Sequence, residues 1–154
     1  KLGDYPNVII TQTLSKAYGM AGIRLGICIA STEIIAVVNK IKPPYNVNQL
    51  TQEKATERVL DQQAVKNEIN EILVERKKLI DALKTVSFVE VIHDTDANFV
   101  LAKVDDATLR YNQLLVKGIV VRNRTTQPLC ENTLRFTVGS AVENKTLAEA
   151  LKMI

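Results

Sequence analysis

The sequence predicts an α/β chain, with a compact α+β module from residue 63 onward and, ahead of it, a piece of a larger sheet. Three observations carry this. Apolar residues recur at helical spacing through residues 63–86. Strict two-residue alternation appears at 23–30 and again at 133–138. From residue 63 the elements read helix, strand, strand, helix, strand, strand, helix, an order that lets helices cover one side of a small sheet.

In chain order, residues 7–12 read as a short buried strand that opens into a loop at Lys16. Residues 23–30 form a strand with Ile23, Leu25, Ile27 and Ile29 on one face and Arg24, Gly26, Cys28 and Ala30 on the other. Ser31-Thr32-Glu33 starts a helix with a hydroxyl cap and an early acid, and Pro43-Pro44 stops it. After the rigid connector at 43–48, a second helix begins beyond Asn48 and turns Leu50, Ala55, Val59 and Leu60 inward.

The long helix follows. Val65, Ile69, Ile72, Leu73, Leu79, Ile80 and Leu83 form its apolar stripe, and Lys66, Glu68, Glu71, Glu75, Lys78 and Asp81 lie mostly opposite as a solvated face. Residues 89–92 and 98–104 are strands around a turn at His93-Asp94-Thr95-Asp96. The single histidine has no partner at ligand spacing, so we expect it to be structural or solvent-facing and expect no metal. A helix at 106–117 ends at Gly118. Arg122 closes the run Ile119-Val120-Val121, Leu134, Phe136 and Val138 share one face of the next strand with Arg135 and Thr137 on the other, and residues 143–154 form the last helix.

With 46% hydrophobic and 24% charged residues in 154, the chain has the composition of a globular domain with a sizeable core, not of a disordered one. Its net charge of +3 is dispersed, without a basic block or interleaved aromatics, which argues against a nucleic-acid partner. No apolar run reaches the length of a membrane span and no leader pattern opens the sequence, so we expect a cytoplasmic protein with no membrane partner. Cys28 and Cys130 are too few for a disulfide framework and are expected to be structural.

Chemistry concentrates in residues 13–26, Thr-Leu-Ser-Lys-Ala-Tyr-Gly-Met-Ala-Gly-Ile-Arg-Leu-Gly. Thr13, Ser15 and Arg24 are suited to converge on one anion, most simply a phosphate, and the glycines at 19, 22 and 26 permit close backbone approach. A lysine beside a phosphate site is a nucleophile toward an aldehyde. The combination suggests pyridoxal phosphate.

Ser15-Lys16-Ala17-Tyr18-Gly19 through Gly22-Ile23-Arg24-Leu25-Gly26 resembles the cofactor-lysine signature of the class I/II aminotransferases, the fold-type-I pyridoxal-phosphate enzymes. The resemblance implies that residues 1–46 are a remnant of the cofactor-binding large domain and that 47–154 hold linking helices and the C-terminal small domain. It implies Lys16 as the catalytic residue, with Thr13, Ser15 and Arg24 on the cofactor phosphate. Arg135, in Leu134-Arg135-Phe136-Thr137-Val138-Gly139, resembles the family's substrate-anion arginine. Arg122 resembles a second arginine of members that take a phosphorylated amine, with Arg124 competing for that role. The implied reaction is transamination between such an amine and 2-oxoglutarate/glutamate, in a homodimer.

A decarboxylase acting on threonine phosphate shares much of this pattern, and a non-catalytic anion-binding module is the reading from another class. In the family, the acid that pairs with the pyridinium nitrogen, the stacking aromatic and a substrate-contacting segment all precede the position of Lys1. We therefore expect a C-terminal fragment, inactive alone, with exposed apolar surface at Ile23, Leu25, Ile27 and Ile29 that self-associates.

Overall fold

The computed structural model describes residues 2–154, which divide into two compact units, one up to Asn67 and one from Glu68 to Ile154. In the first, β1 (Ile10–Thr13) pairs antiparallel with β2 (Gly26–Ile29), with Ile10 opposite Ile29 and Thr13 opposite Gly26. Two capped helices follow. Ser31 Oγ accepts from the Ile34 N–H at 3.5 Å to open α1 (Thr32–Ile41), and Asn48 Oδ1 accepts from the Thr51 N–H at 2.9 Å to open α2 (Gln49–Leu60). Both helix starts fall where the cap residues predict them.

Several burial expectations fail in this unit. The first strand is Ile10–Thr13, not 7–12, and all of it is exposed. Ile27 and Ile29 on its partner are also exposed, at 39% and 41%, because a two-stranded ribbon buries neither face without another layer. Residues 23–30 are not one strand: Ala21–Ile23 is a 3-10 turn and Arg24 takes a left-handed conformation with φ 53°, which breaks the extended run before β2. Ile23 and Leu25 are half-buried. On α2, Ala55 is buried and Val59 half-buried, but Leu50 and Leu60 are 75% and 76% exposed at its two ends. Cys28 is exposed on β2 and Cys130 half-buried, so Cys28 fills no core position.

α3 (Gln62–Leu83) starts in the first unit and continues into the second. There a four-stranded antiparallel sheet has the order β3-β4-β6-β5, from β3 (Val89–Ile92), β4 (Phe99–Val104), β5 (Arg122–Asn123) and β6 (Thr133–Thr137). α4 (Ala107–Val116) and α5 (Ala141–Leu151) complete the expected order of elements. Alternation on the central strands sends Val100, Ala102, Val104, Leu134 and Phe136 into one core with Leu79 and Leu83 of α3, Leu114 of α4 and Leu147 and Leu151 of α5. The opposite face carries Phe99, Leu101 and Lys103 beside Thr137, Arg135 and Thr133. Gly118, at φ +76°, ends α4 and lets the Ile119 N–H reach the Leu114 carbonyl.

Glu75 contradicts the amphipathic pattern: it was expected on the solvated face of α3 and is buried, whereas Leu73, expected in the apolar stripe, is 44% exposed. Lys78 Nζ lies 2.6 Å from Glu75 Oε1, and Asn144 Nδ2 donates to Oε2 at 3.1 Å, which together hold the carboxyl below the usual range. Asn144 also accepts from the Gly139 N–H at 2.9 Å and donates to the Gly139 carbonyl at 3.1 Å. The end of β6, α5 and α3 thus share one polar knot. Gly139 is there because an added Cβ would lie 2.9 Å from Glu143 Cβ. His93 is exposed, with its backbone N–H on the Leu101 carbonyl.

Replacing Asn144 with Ala leaves Gly139 and Glu75 without these partners and is expected to lower unfolding stability by about 1–3 kcal/mol in urea titrations. An acid titration tests a second contact. Arg110 donates to both oxygens of Asp105, Nε at 3.0 Å and Nη2 at 2.6 Å, and pulls its pKa from 3.8 to about 2. A depressed carboxyl contributes stability above its unfolded value that is lost as pH falls through the folded one. The chain is therefore expected to weaken between about pH 4 and 2, and Asp105→Asn to flatten that loss without abolishing it, since Glu75 and Glu143 are depressed too.

Candidate functional site

The antiparallel register of β1 and β2 decides where the chemistry-bearing residues go. Because Thr13 faces Gly26 across the last pair, the intervening loop with Ser15, Lys16 and Arg24 emerges at one end of the ribbon. The loop is closed by its own backbone. Ser15 N–H donates to Thr13 Oγ1 at 3.0 Å, Gly19 N–H to the Lys16 carbonyl at 2.9 Å, and Met20 N–H to the Leu14 carbonyl at 2.9 Å. Leu14 is buried, while Lys16, two residues on, is exposed. Gly19, at φ +68°, supplies the left-handed residue that the turn requires.

Arg24 is the unusual member. A left-handed arginine costs on the order of 1–3 kcal/mol, and such strain gathers at ligand sites. Its Nη1 donates to the Ala21 carbonyl at 3.1 Å, which turns the exposed guanidinium back over its own turn. Sequence reasoning placed Arg24 on a regular strand and missed this conformation. It also assigned nothing to Arg58, whose Nε donates to the Tyr18 carbonyl at 2.9 Å. The available signal was an arginine at helical spacing from Ala55, on the stripe that continues through Val59.

In the second unit, Arg122 and Arg135 are direct cross-strand partners, and Asn123 faces Leu134. Like charges placed opposite one another destabilise a sheet unless an anion joins them. Arg135 lies 5.1 Å over the Phe99 ring, and its buried Nε has no hydrogen-bond partner. Arg124, the competing candidate, continues the ladder one pair further, with its N–H on the Thr133 carbonyl at 2.8 Å. The residues proposed from sequence therefore fall into two sets, one in each compact unit.

The sequence matches the family described as aminotransferase class I and II over residues 1–154, and the chain belongs to that family. A histidinol-phosphate aminotransferase of Flavobacterium johnsoniae is 60% identical over all of this chain and 44% of that protein. One from Christiangramia forsetii is 55% identical over 99% of this chain and 43% of its own length. Among solved structures, the histidinol-phosphate aminotransferase of Clostridium acetobutylicum superposes with a TM-score of 0.91 at 27% identity, covering 99% of this chain and 47% of its own. An L-threonine-O-3-phosphate decarboxylase of Porphyromonas gingivalis shares the fold at 22% identity, with a TM-score of 0.78 over 99% of this chain and 49% of its own. The chain thus spans less than half the length of the curated relatives it matches. The fold is that of a fold-type-I aminotransferase segment, as the sequence predicts.

Gly19→Ala tests the loop. An added Cβ meets nothing within 4 Å, so its cost is conformational, about 1–2 kcal/mol for a left-handed alanine. Amide exchange at Gly19 and Met20 is expected to quicken roughly tenfold. Gly22→Ala, at an equally open position without the left-handed φ, is expected to leave both amides unchanged.

Proposed function

We propose that this chain is the C-terminal part of a pyridoxal-phosphate-dependent aminotransferase that converts histidinol phosphate and 2-oxoglutarate into imidazole acetol phosphate and glutamate, in histidine biosynthesis. Support for the reaction comes from relatives of that name, 60% and 55% identical across this chain. The observation that supports the substrate class is the Arg122–Arg135 cross-strand pair, two cations side by side that a substrate anion would join. In this reading residues 1–46 belong to the cofactor-binding domain and 47–154 to linking helices and the small domain, in a cytoplasmic homodimer.

The residues at the ribbon end suit the cofactor's chemistry. Lys16 offers an exposed amine, Thr13 and Ser15 offer hydroxyls, and Arg24 offers a planar guanidinium suited to phosphate oxygens. When bound, the cofactor supplies an aldehyde for the lysine and a ring that accepts electrons from the substrate carbon. Lys16 would anchor it and, as a free amine, would serve as the base for the proton on the substrate carbon. Thr13, Ser15 and Arg24 would hold its phosphate and fix its orientation. Arg135 would offer its guanidinium to one substrate anion, and Arg122 opposite would add the second charge that a phosphorylated substrate calls for.

Pyridoxal phosphate mixed with the chain, followed by borohydride reduction and peptide mapping, is expected to label Lys16 selectively and to lose that label in Lys16→Ala. Adducts spread over surface lysines would overturn the cofactor reading. In a protein spanning the full length of the relatives, histidinol phosphate is expected to be preferred over aspartate, phenylalanine and threonine phosphate. A preference for threonine phosphate with release of carbon dioxide would favour the decarboxylase, and selective anion binding without amino transfer would favour a non-catalytic module.

A further inference from the structure

The bonds that close the Lys16 loop are local, running 13 to 15, 16 to 19 and 14 to 20. Local bonds define the loop's shape but do not orient it on the rest of the unit. Arg58 adds a bond from outside the loop. It stands on α2, half-buried on the same helical stripe as buried Ala55, and its Nε reaches the Tyr18 carbonyl at 2.9 Å across 40 positions of sequence. The Tyr18 carbonyl and the Gly19 N–H are the two ends of a single planar peptide group. That N–H donates to the Lys16 carbonyl at 2.9 Å. A rigid relay therefore runs from the α2 guanidinium, through one peptide plane, to the backbone of Lys16. A charged donor strengthens its first bond, and polarisation of the shared peptide strengthens the second.

We propose that Arg58 is a positioning residue for Lys16: by gripping the Tyr18–Gly19 peptide it sets the direction in which the Lys16 amine leaves the loop. This rests on the reading of Lys16 as the cofactor lysine. Arg58 itself touches neither cofactor nor substrate in this account. It also retains the left-handed Gly19, since rotating that peptide would break both bonds of the relay at once.

The test compares the 154-residue chain with Arg58→Met, Arg58→Lys and the exposed same-helix control Lys54→Ala. Two readouts are taken: amide exchange at Gly19 without cofactor, and selectivity of borohydride-trapped pyridoxal phosphate for Lys16. Arg58→Met is expected to quicken Gly19 exchange on the order of tenfold, the scale of the charged hydrogen bond to the Tyr18 carbonyl, and to lower Lys16 selectivity by a similar factor. Arg58→Lys is expected to restore part of both, and Lys54→Ala to change neither. Unchanged exchange and labelling in Arg58→Met overturn the proposal. Should that variant unfold, Arg58→Lys decides: intermediate exchange upholds the relay, and values equal to the unsubstituted chain overturn it. If the unsubstituted chain shows no selective adduct while Arg58→Met still quickens Gly19 exchange, the cofactor reading falls and the relay stands.

Discussion

Burial of Leu134 and Phe136 governs the second unit. Both are fully buried in the core that β6 shares with three helices. Successive side chains of a strand point to opposite faces, so this burial forces Arg135 onto the open side of the sheet. Neighbouring strands then fix its company: Leu101 of β4 on one side, Arg122 of β5 on the other. A one-residue slip would bury the arginine and expose both apolar anchors, and the core forbids it. Hydrophobic packing thus performs the placement of the cations.

The first unit reaches a similar end by other means. Its ribbon has no buried face to dictate register, and the loop relies on hydrogen bonds, one buried leucine and two left-handed residues. Such a loop is defined locally and needs an outside attachment to be aimed. The Arg58 contact is of this kind, and the polar knot of Glu75, Asn144 and Gly139 does comparable work at the end of β6. In both units a buried or half-buried polar side chain on a helix takes hold of backbone a few residues beyond one proposed for the site.

Much of this architecture was legible in the sequence because it depends on short-range rules. Ser31, Asn48 and Asp106 each accept a hydrogen bond from the first turn of their helix, and Gly118 stops α4, as hydroxyl, amide, carboxylate and glycine residues do anywhere, whereas the Ser140 cap that starts α5 two residues before the expected 143 was missed. Alternation in Leu134-Arg135-Phe136-Thr137-Val138 gave the correct faces of β6 for the same reason. Failures were of another sort. Leu50 and Leu60 fit an inward stripe but sit at the exposed ends of α2, and Glu75 fits a solvated face but meets Lys78 and Asn144 in the interior. Periodicity reports which residues share a side, not what waits across from it.

By itself, then, the sequence determined the order of elements, their caps, the alternation of β6 and the Lys16 motif, all set by interactions within a few residues of chain. Tertiary structure alone decided that Arg122 stands opposite Arg135, that Arg135 Nε is buried without a partner, and that Arg58 reaches the Lys16 loop. Those are contacts between residues separated by 13 to 40 positions, and strand pairing and helix packing bring them together. No local propensity encodes such pairings, because each arises from which surfaces the whole unit can bury at once.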